Sequence, residues 1–339
     1  MNRHAWVSAT MIVLTAMLPG VSTGAEVATV KVASAPGIGY LPYYVMEEHK
    51  LFEKHAGAAG IQDARVEFLN MSGAAAMNDA LLSGSIQFSS IAVPALLILW
   101  SKTKGTPQEI RAASALNSQP VYLNTRNPAI KTVKDFGEKD RIAVVAPKIS
   151  IQAIVLQMAA ANAFGEENYA KLDRLTMPLP HPDARDALLS GGGELTAHMA
   201  TEPFASQELK NPKIHSVLTS YDVLGGPATV NVVATTAKFR SESPKAYAAF
   251  LAALKEAIAM IEKDKRAAAQ TYVRISKITS PVDEVVAQLN DVKNPILFSL
   301  APLNITKLSD FMHRVGIISA KPTSWKDVFF PEVHDLKGS

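Results

Sequence analysis

The chain has no cysteine. That absence excludes disulfides, a thiolate metal site and a cysteine-borne lipid anchor. It also lacks a charge excess: 34 Lys and Arg stand against 31 Asp and Glu, a net +3. The basic residues are scattered and not massed, so there is no electrostatic footprint for nucleic acid. Beyond residue 25 no long apolar run recurs. Apolar residues at 48% and charged residues at 19% leave no room for extended disorder. At 339 residues the chain is long for one compact domain and comfortable for two.

The usual enzymatic signatures are missing as well. His49 and His55 lack the His-Glu-x-x-His spacing of a helical zinc site, and the other histidines show no ligand spacing. Gly37-Ile38-Gly39 follows a predicted strand but carries Tyr40 and lacks the third glycine of a dinucleotide fingerprint. Gly191-Gly192-Gly193 is not followed by Lys-Ser/Thr and reads as a turn. Ser101 and Lys104 satisfy Ser-x-x-Lys with no Ser-Asp-Asn or Lys-Thr-Gly partner. No metal or cofactor is expected.

The first 25 residues stand apart. Arg3 and His4 precede an apolar stretch over 5–18, then Pro19-Gly20 and the small residues Ser22-Thr23-Gly24-Ala25. This is the pattern of a secretory signal cut near Ala25. About 14 apolar residues are too few for a bilayer core needing roughly 20. Export without disulfides suits a bacterial periplasm.

The most informative feature of what remains is a repeat. Asp79-Ala80-Leu81-Leu82-Ser83-Gly84 returns as Asp186-Ala187-Leu188-Leu189-Ser190-Gly191. Each copy closes an apolar helix, enters a predicted short strand (86–90; 195–199) and reaches a proline, Pro94 or Pro203. This is one βαβ element used once in each of two lobes, and a cleft between lobes is where a small molecule binds. The rest of the chain alternates accordingly. Predicted strands are 27–34, 66–69, 86–91 and 111–116 in the first lobe, then 141–146, 175–177 and 195–199 in the second. Predicted helices are 42–52, 73–82, 94–101, 150–164 and 183–189. Strands separated by helices argue for a mainly parallel sheet in each lobe. The β-branched run 230–235 returns the chain to lobe one, before helices over 243–263, 266–275, 282–289 and 304–315 and a proline-punctuated tail. The expected organisation is a signal over 1–25, lobe one over 26–120 and 230–339, and lobe two over 121–229. Two crossings make a hinge.

In such sheets ligands sit beyond the carboxyl ends of the strands, where helix N-termini converge. The rule selects Gly39 and Tyr40, Ser72 and Gly73, and Ala92 and Val93 in lobe one. In lobe two it selects Lys148 and Ser150, then Thr201 and Glu202. Ser72 and Ser150 occupy matching helix starts, with free N–H groups and partial positive charge suited to an anion; each is equally placed to cap its own helix. Lys148 adds charge if it points inward, although a surface lysine is more often solvated. Glu202 opposes a bare anion and suits an amine. Tyr40, Tyr43 and Tyr44 could stack on an aromatic acid or pack the first helix.

These residues carry a family resemblance. Gly39-Tyr40-Leu41-Pro42-Tyr43-Tyr44-Val45, Leu51-Phe52-Glu53-Lys54, Ser72-Gly73-Ala74 and Ala80-Leu81-Leu82-Ser83-Gly84 resemble the substrate-binding proteins of ABC importers for nitrate, sulfonates and taurine. Asp183-Ala184, Ala187-Leu188 and Glu202-Pro203-Phe204 match the same family, as does the tail from Ser324-Trp325 to Pro331-Glu332. The resemblance implies two α/β lobes on two hinge strands, the type II periplasmic binding fold. It further implies capture of a small solute by lobe closure, and a monomer delivering it to a membrane permease driven by a separate ATPase. The cleft would be lined at Gly39, Tyr40, Ser72, Gly73, Ala92, Val93, Ser150 and Glu202. Three departures bear on the ligand. Thr201 stands where the family often has Trp, Pro147-Lys148-Ile149-Ser150 replaces a Gly-Ser or Gly-Thr helix start, and Gln87 and Thr196 stand where Asp is frequent. Two other classes share the fold. Thiamin-pyrimidine synthases depend on a cysteine-rich segment absent here, and ligand-presenting sensors are not separable from importer components by sequence.

Overall fold

The computed structural model describes residues 26–71 and 74–339. The expected signal segment and the Ser72-Gly73 helix start lie outside the described residues. Chain order begins with β1 (Thr29–Ser34), a 3-10 turn at Ile38–Tyr40, α1 (Leu41–Glu48), α2 (Leu51–Ala58), β2 (Arg65–Asn70), α3 (Ala74–Ser83), β3 (Phe88–Ala92), α4 (Val93–Thr103) and β4 (Ile110–Ser118). A second group follows: β5 (Tyr122–Thr125), β6 (Ile142–Val144), α5 (Ile151–Phe164), β7 (Thr176–Pro178), α6 (His181–Ser190), β8 (Ala197–Ala200), α7 (Phe204–Leu209), β9 (His215–Thr219) and α8 (Ser220–Leu224). The chain ends with β10 (Thr229–Thr236), α9 (Ala237–Glu242), α10 (Pro244–Lys263), α11 (Lys265–Ser276), α12 (Val282–Leu289), β11 (Leu297–Phe298) and α13 (Ile305–Arg314).

Two sheets result, ordered β11-β4-β10-β3-β1-β2 and β7-β6-β8-β5-β9. The parallel cores are β1 with β2 and β3, and β6 with β7 and β8. The expectation of mainly parallel sheets needs correcting in each, and the short edge strand β11 is also antiparallel, to β4. β10 runs antiparallel to β3 and β4, and β5 antiparallel to β8 and β9. Both are the strands entered directly after the chain passes from one sheet to the other, so their direction follows from the route of the chain and not from a helical crossover.

Local chemistry explains the elements. In β1, Val30 and Val32 are buried at alternate positions, as a pleated strand requires. The single helix predicted over 42–52 is two, because Lys50 adopts a left-handed conformation (φ 47°) between α1 and α2. In α10 the buried Tyr247, Phe250, Leu254, Ala257 and Ile261 recur at helical spacing and form one face. α5 has no polar face over its first ten residues, Ile151 to Ala160 being buried all round. It packs on the second sheet on one side and on α4 and α13 on the other, within an apolar cluster continuous across both sheets. The repeated hexapeptides have matching structures. Each ends a helix, Leu81 and Leu188 are each 1% exposed, and Gly84 (φ 76°) and Gly191 (φ 69°) make the left-handed turn that a side chain would strain. Ser83 donates to the Ala80 carbonyl at 3.1 Å and Ser190 to the Ala187 carbonyl at 2.9 Å. The tail packs on the first sheet: Phe329 and Phe330 are buried, and the Phe330 N–H donates to the Ala112 carbonyl at 2.9 Å. No helix of the described residues is long and apolar enough to cross a membrane.

Candidate functional site

At the first sheet, the 3-10 turn after β1 places Gly39 and Tyr40 against the end of β4. Asn117, the penultimate residue of β4, donates through Nδ2 to the Gly39 carbonyl at 2.9 Å and to Asn231 Oδ1 at 3.2 Å. A Cβ on Gly39 would stand 2.6 Å from Gln119 Nε2 and 2.9 Å from Asn117 Nδ2, so only glycine lets the turn approach this closely. Tyr40 is buried, and that burial raises its pKa well above the ordinary value, opposed by the nearby Asn231 side chain. Ala92 closes β3 directly opposite Asn231. Asn117 and Gln119 are both buried, and Asn117 Oδ1 and Gln119 Oε1 have no hydrogen-bond partner. Two orphan acceptor oxygens in one place mark a site short of donors.

At the second sheet, the carboxyl ends of β6, β7 and β8 lead into α5, α6 and α7. Ser150 caps α5, its hydroxyl accepting from the Ala153 N–H at 3.3 Å. Gln152 in the same turn reaches His181, the first residue of α6, with Nε2 to Nε2 at 3.2 Å. His181 Nδ1 meets His198 Nε2 at 2.9 Å, and His198 Nδ1 meets Glu208 Oε1 at 2.5 Å. Asn124 of β5 donates to the other Glu208 oxygen at 2.9 Å. His198 and Glu208 are fully buried; His181 is half-buried and stacks on Phe204 with ring centroids 5.6 Å apart. Burial lowers both histidines to about 3. Burial lifts Glu208 to about 8, against the opposing pull of the Asn124 bond and the Arg185 charge.

Thr201 is buried just past β8, and its carbonyl accepts from the Ala205 N–H at 3.0 Å. Glu202 follows it, buried, accepting from the Ser206 hydroxyl at 2.8 Å and from the Ser206 N–H at 3.2 Å. Burial lifts Glu202 to about 7; the Ser206 bonds oppose the rise, and the charges of Asp291 and Glu208 add to it. Its carboxylate borders a cavity of about 350 Å³ that Tyr122, Ser206, Glu284, Gln288 and Asp291 also line. A Cβ on Gly37 would stand 3.6 Å from the Glu202 carbonyl oxygen, so this edge of the second sheet faces the glycine turn of the first.

The structure therefore gathers Gly39, Tyr40 and Ala92 at one sheet edge, and Ser150, Thr201 and Glu202 at the other. It does not bring Val93 to the surface of a cleft: that side chain is wholly buried in the core. Lys148 is exposed in a left-handed turn (φ 69°), its charge felt by Asp173. Tyr43 and Tyr44 pack the first helix, Tyr43 stacking on Phe68 at 5.0 Å and Tyr44 edge-on to Tyr272 at 5.4 Å. Asn117, Gln119, Gln152, His181, His198, Glu208 and Asn231 escape the sequence reading. One signal was available: a histidine at 198 in the otherwise apolar strand Ala197–Ala200 must have found a partner. Among the described residues no cluster of His, Asp and Glu is arranged to hold a metal ion.

Comparison with known proteins agrees with this architecture. The profile of the NMT1-like family matches residues 23–276. No curated protein matches the chain in sequence. Among solved structures, the periplasmic aliphatic sulphonate-binding protein SsuA of Escherichia coli is 17% identical, with TM-score 0.66 over 90% of this chain and 92% of its own. The periplasmic nitrate-binding protein NrtA of Synechocystis PCC 6803 is 15% identical, with TM-score 0.70 over 92% and 90%. The alkanesulfonate-binding protein SsuA of Xanthomonas axonopodis pv. citri, bound to MOPS, is 15% identical, with TM-score 0.67 over 90% and 99%. At such identities the likeness is one of fold: two α/β lobes of the periplasmic binding protein type.

Proposed function

The chain belongs to the NMT1-like family, and on that premise we propose that it is an exported solute-binding protein that captures a small anion between its lobes and delivers it to an ABC importer. The observation that carries this reading is the pair of facing sheet edges. One holds the starts of α5 and α6 with Ser150, Gln152 and His181, and the other holds Gly39, Tyr40, Asn117 and Asn231. Helix starts favour an anionic head group. The orphan oxygens of Asn117 and Gln119, with the Glu202 carboxylate, favour a donor such as an ammonium group. A zwitterion of the taurine type answers both demands; sulfonate and nitrate answer the first. The structural relatives that bind sulfonates and nitrate support the class.

In this reading residues 26–120 and 230–339 form one lobe and 121–229 the other, hinged where β4 passes to β5 and α8 to β10. Residues 1–25 direct export and are removed. The partners are a membrane permease with its ATPase, and the protein works as a monomer without catalysis. The test is thermal unfolding of protein denatured, stripped of ligand and refolded, against nitrate, bicarbonate, methanesulfonate, taurine, aromatic sulfonates and pyrimidines. Ligand at about 100 times its dissociation constant adds roughly 2.7 kcal/mol, an easily measured shift. Taurine is expected to exceed methanesulfonate. A response to a pyrimidine alone, with none to any anion, would overturn the reading.

A further inference from the structure

The chain Gln152–His181–His198–Glu208–Asn124 can do more than hold the second sheet together, because its links through the two histidines are hydrogen bonds whose direction depends on one proton. We propose that Glu208 and His198 are positioning residues that set the hydrogen-bonding role of His181 toward the cleft, so that an anion bound there is taken up together with one proton. The proposal rests on the anion site described above and concerns its regulation.

The bonds fix the logic. With Glu208 ionised, His198 Nδ1–H donates to the carboxylate, so His198 Nε2 is left as an acceptor. It accepts from His181 Nδ1–H, and His181 Nε2 then presents a lone pair, which the Gln152 amide meets as a donor at 3.2 Å. In this arrangement His181 Nε2 has no proton to donate to an anion. One proton added to Glu208 reverses the links through the two histidines. The Glu208 hydroxyl donates to His198 Nδ1, His198 Nε2–H donates to His181 Nδ1, and His181 Nε2–H points outward. Asn124 donates to the other Glu208 oxygen in both arrangements and need not move. The Gln152 amide turns its Oε1 toward His181 or yields to the anion. No ring is charged in either state, and the balance is one anion and one proton bound together.

The surroundings favour a proton held on Glu208. Its burial holds the carboxyl well above the ordinary range, and burial with the neighbouring His198 keeps His181 neutral. Two charged groups face the relay. Arg185 of α6 opposes protonation of Glu208, although its guanidinium is paired with Asp186 and bonded to Gln207. Glu202, preceding α7, feels the charge of Glu208 and that of Asp291. From β5 and α5 the relay meets only the neutral side chains of Asn124 and Gln152.

The probes are methanesulfonate and nitrate, whose own charge is constant across the range. Their affinity for the refolded protein is measured by calorimetry from about pH 6 to about pH 9.5, in two buffers of different ionisation enthalpy. The expected result is a dissociation constant that is flat at low pH and weakens about tenfold per unit above the relay's titration point. Proton uptake there approaches one per anion. Glu208→Gln places a permanent N–H donor against His198 Nδ1, so binding persists and its pH dependence above neutrality disappears. Retention of the wild-type slope in Glu208→Gln would assign the proton elsewhere and overturn the proposal. Ring-¹⁵N spectra of the unaltered protein give an answer that needs no variant: His181 is expected as the Nδ1–H tautomer at high pH and the Nε2–H tautomer when the anion binds. An unchanged tautomer overturns the relay. Binding without proton uptake overturns it too and leaves the anion site standing; absence of anion binding at every pH removes the site and the relay together.

Discussion

The two sheets are the same device built twice and chemically divided. The hexapeptides stand 107 residues apart and the prolines 109; counted from the prolines, Ser89 matches His198, Val93 matches Glu202 and Leu99 matches Glu208. The register agrees. Ser89 lies between Ala33 and Ala234, and His198 between Ala143 and Asn124. In the first sheet these places are apolar or inert: Val93 and Leu99 sit in the core, and the Ser89 hydroxyl is buried without a partner. In the second they are ionisable, and His198 and Glu208 are bonded to each other. One scaffold thus carries no titratable group at these places in one lobe and three in the other. The fold leaves that difference to three side chains.

The contrast is broken most directly at its centre. His198→Ala leaves the Glu208 carboxyl and His181 Nδ1 each without a buried partner, at a cost of about 1–3 kcal/mol apiece. Ser89→Ala at the matching position removes a hydroxyl that bonds nothing, and is expected to change stability by less than about 1 kcal/mol. Urea unfolding of the two variants measures both. Equal costs would contradict the chemical division of the two sheets.

The repeat itself is tested by Leu81→Ala and Leu188→Ala. Both side chains are 1% exposed in helices closed by the same turn. Each truncation leaves a cavity worth about 2–5 kcal/mol. If the copies are equivalent in packing as well as in sequence, the two losses agree within about 1 kcal/mol.

That repeat is also why so much of the fold was legible. A hexapeptide with its helix, turn, strand and proline announces two lobes, because each feature is set by neighbours a few residues away. The left-handed Lys50 that splits the first helix has no such signature, since lysine is not a residue that advertises the conformation. The antiparallel course of β5 and β10 depends on the path between sheets, which periodicity does not encode. The site divides in the same way. Gly39, Tyr40, Ser150 and Glu202 lie where strand ends predict them. Asn117, Asn231, His181 and Glu208 acquire meaning only from partners on other elements, as with Asn117 and Asn231, 114 residues apart. Val93 shows the opposite limit. It occupies the same strand-end position as Glu202, and its side chain turns into the core because the helix it begins is apolar on that face.

The pH dependence of stability sharpens the same division. Between about pH 6.5, where His198 would ordinarily lose its proton, and about pH 8, where buried Glu208 ionises, the folded pair holds one proton and the unfolded pair none. Stability must fall as pH rises through that window, by about 2 kcal/mol. Glu202, raised to about 7 from an ordinary 4.5, adds a loss of the same sign at lower pH. Unfolding at several pH values is expected to show the decline in the unaltered protein and a weaker one in Glu208→Gln. A rise over the window would contradict a proton shared by the pair.

On the first sheet the sensitive point is steric. Gly39→Ala must displace the side chains of Gln119 and Asn117 from contacts below 3 Å, a strain of about 1–3 kcal/mol. Gly192→Ala, in the loop between α6 and β8, meets nothing within 4 Å and is expected to be nearly neutral. A Gly39→Ala protein of normal stability that no longer responds to ligand would show that the turn matters for the cleft more than for the fold.

The smallest effect separates two roles of one residue. Ser150 caps α5 through the Ala153 N–H, and loss of a serine cap costs about 1 kcal/mol. If capping is its whole role, Ser150→Ala lowers stability by that amount, and ligand still raises the unfolding temperature by the same increment as in the unaltered protein. If the hydroxyl also touches the anion, the increment shrinks while the ligand-free stability moves no further. Comparing the two increments isolates binding from folding, because the cap is lost equally with and without ligand. Ser150→Asp sharpens the result: it restores the cap and sets a negative charge where the anion would lie. Full stability with abolished response would then place Ser150 on the ligand, and an unaltered response would leave it a cap alone.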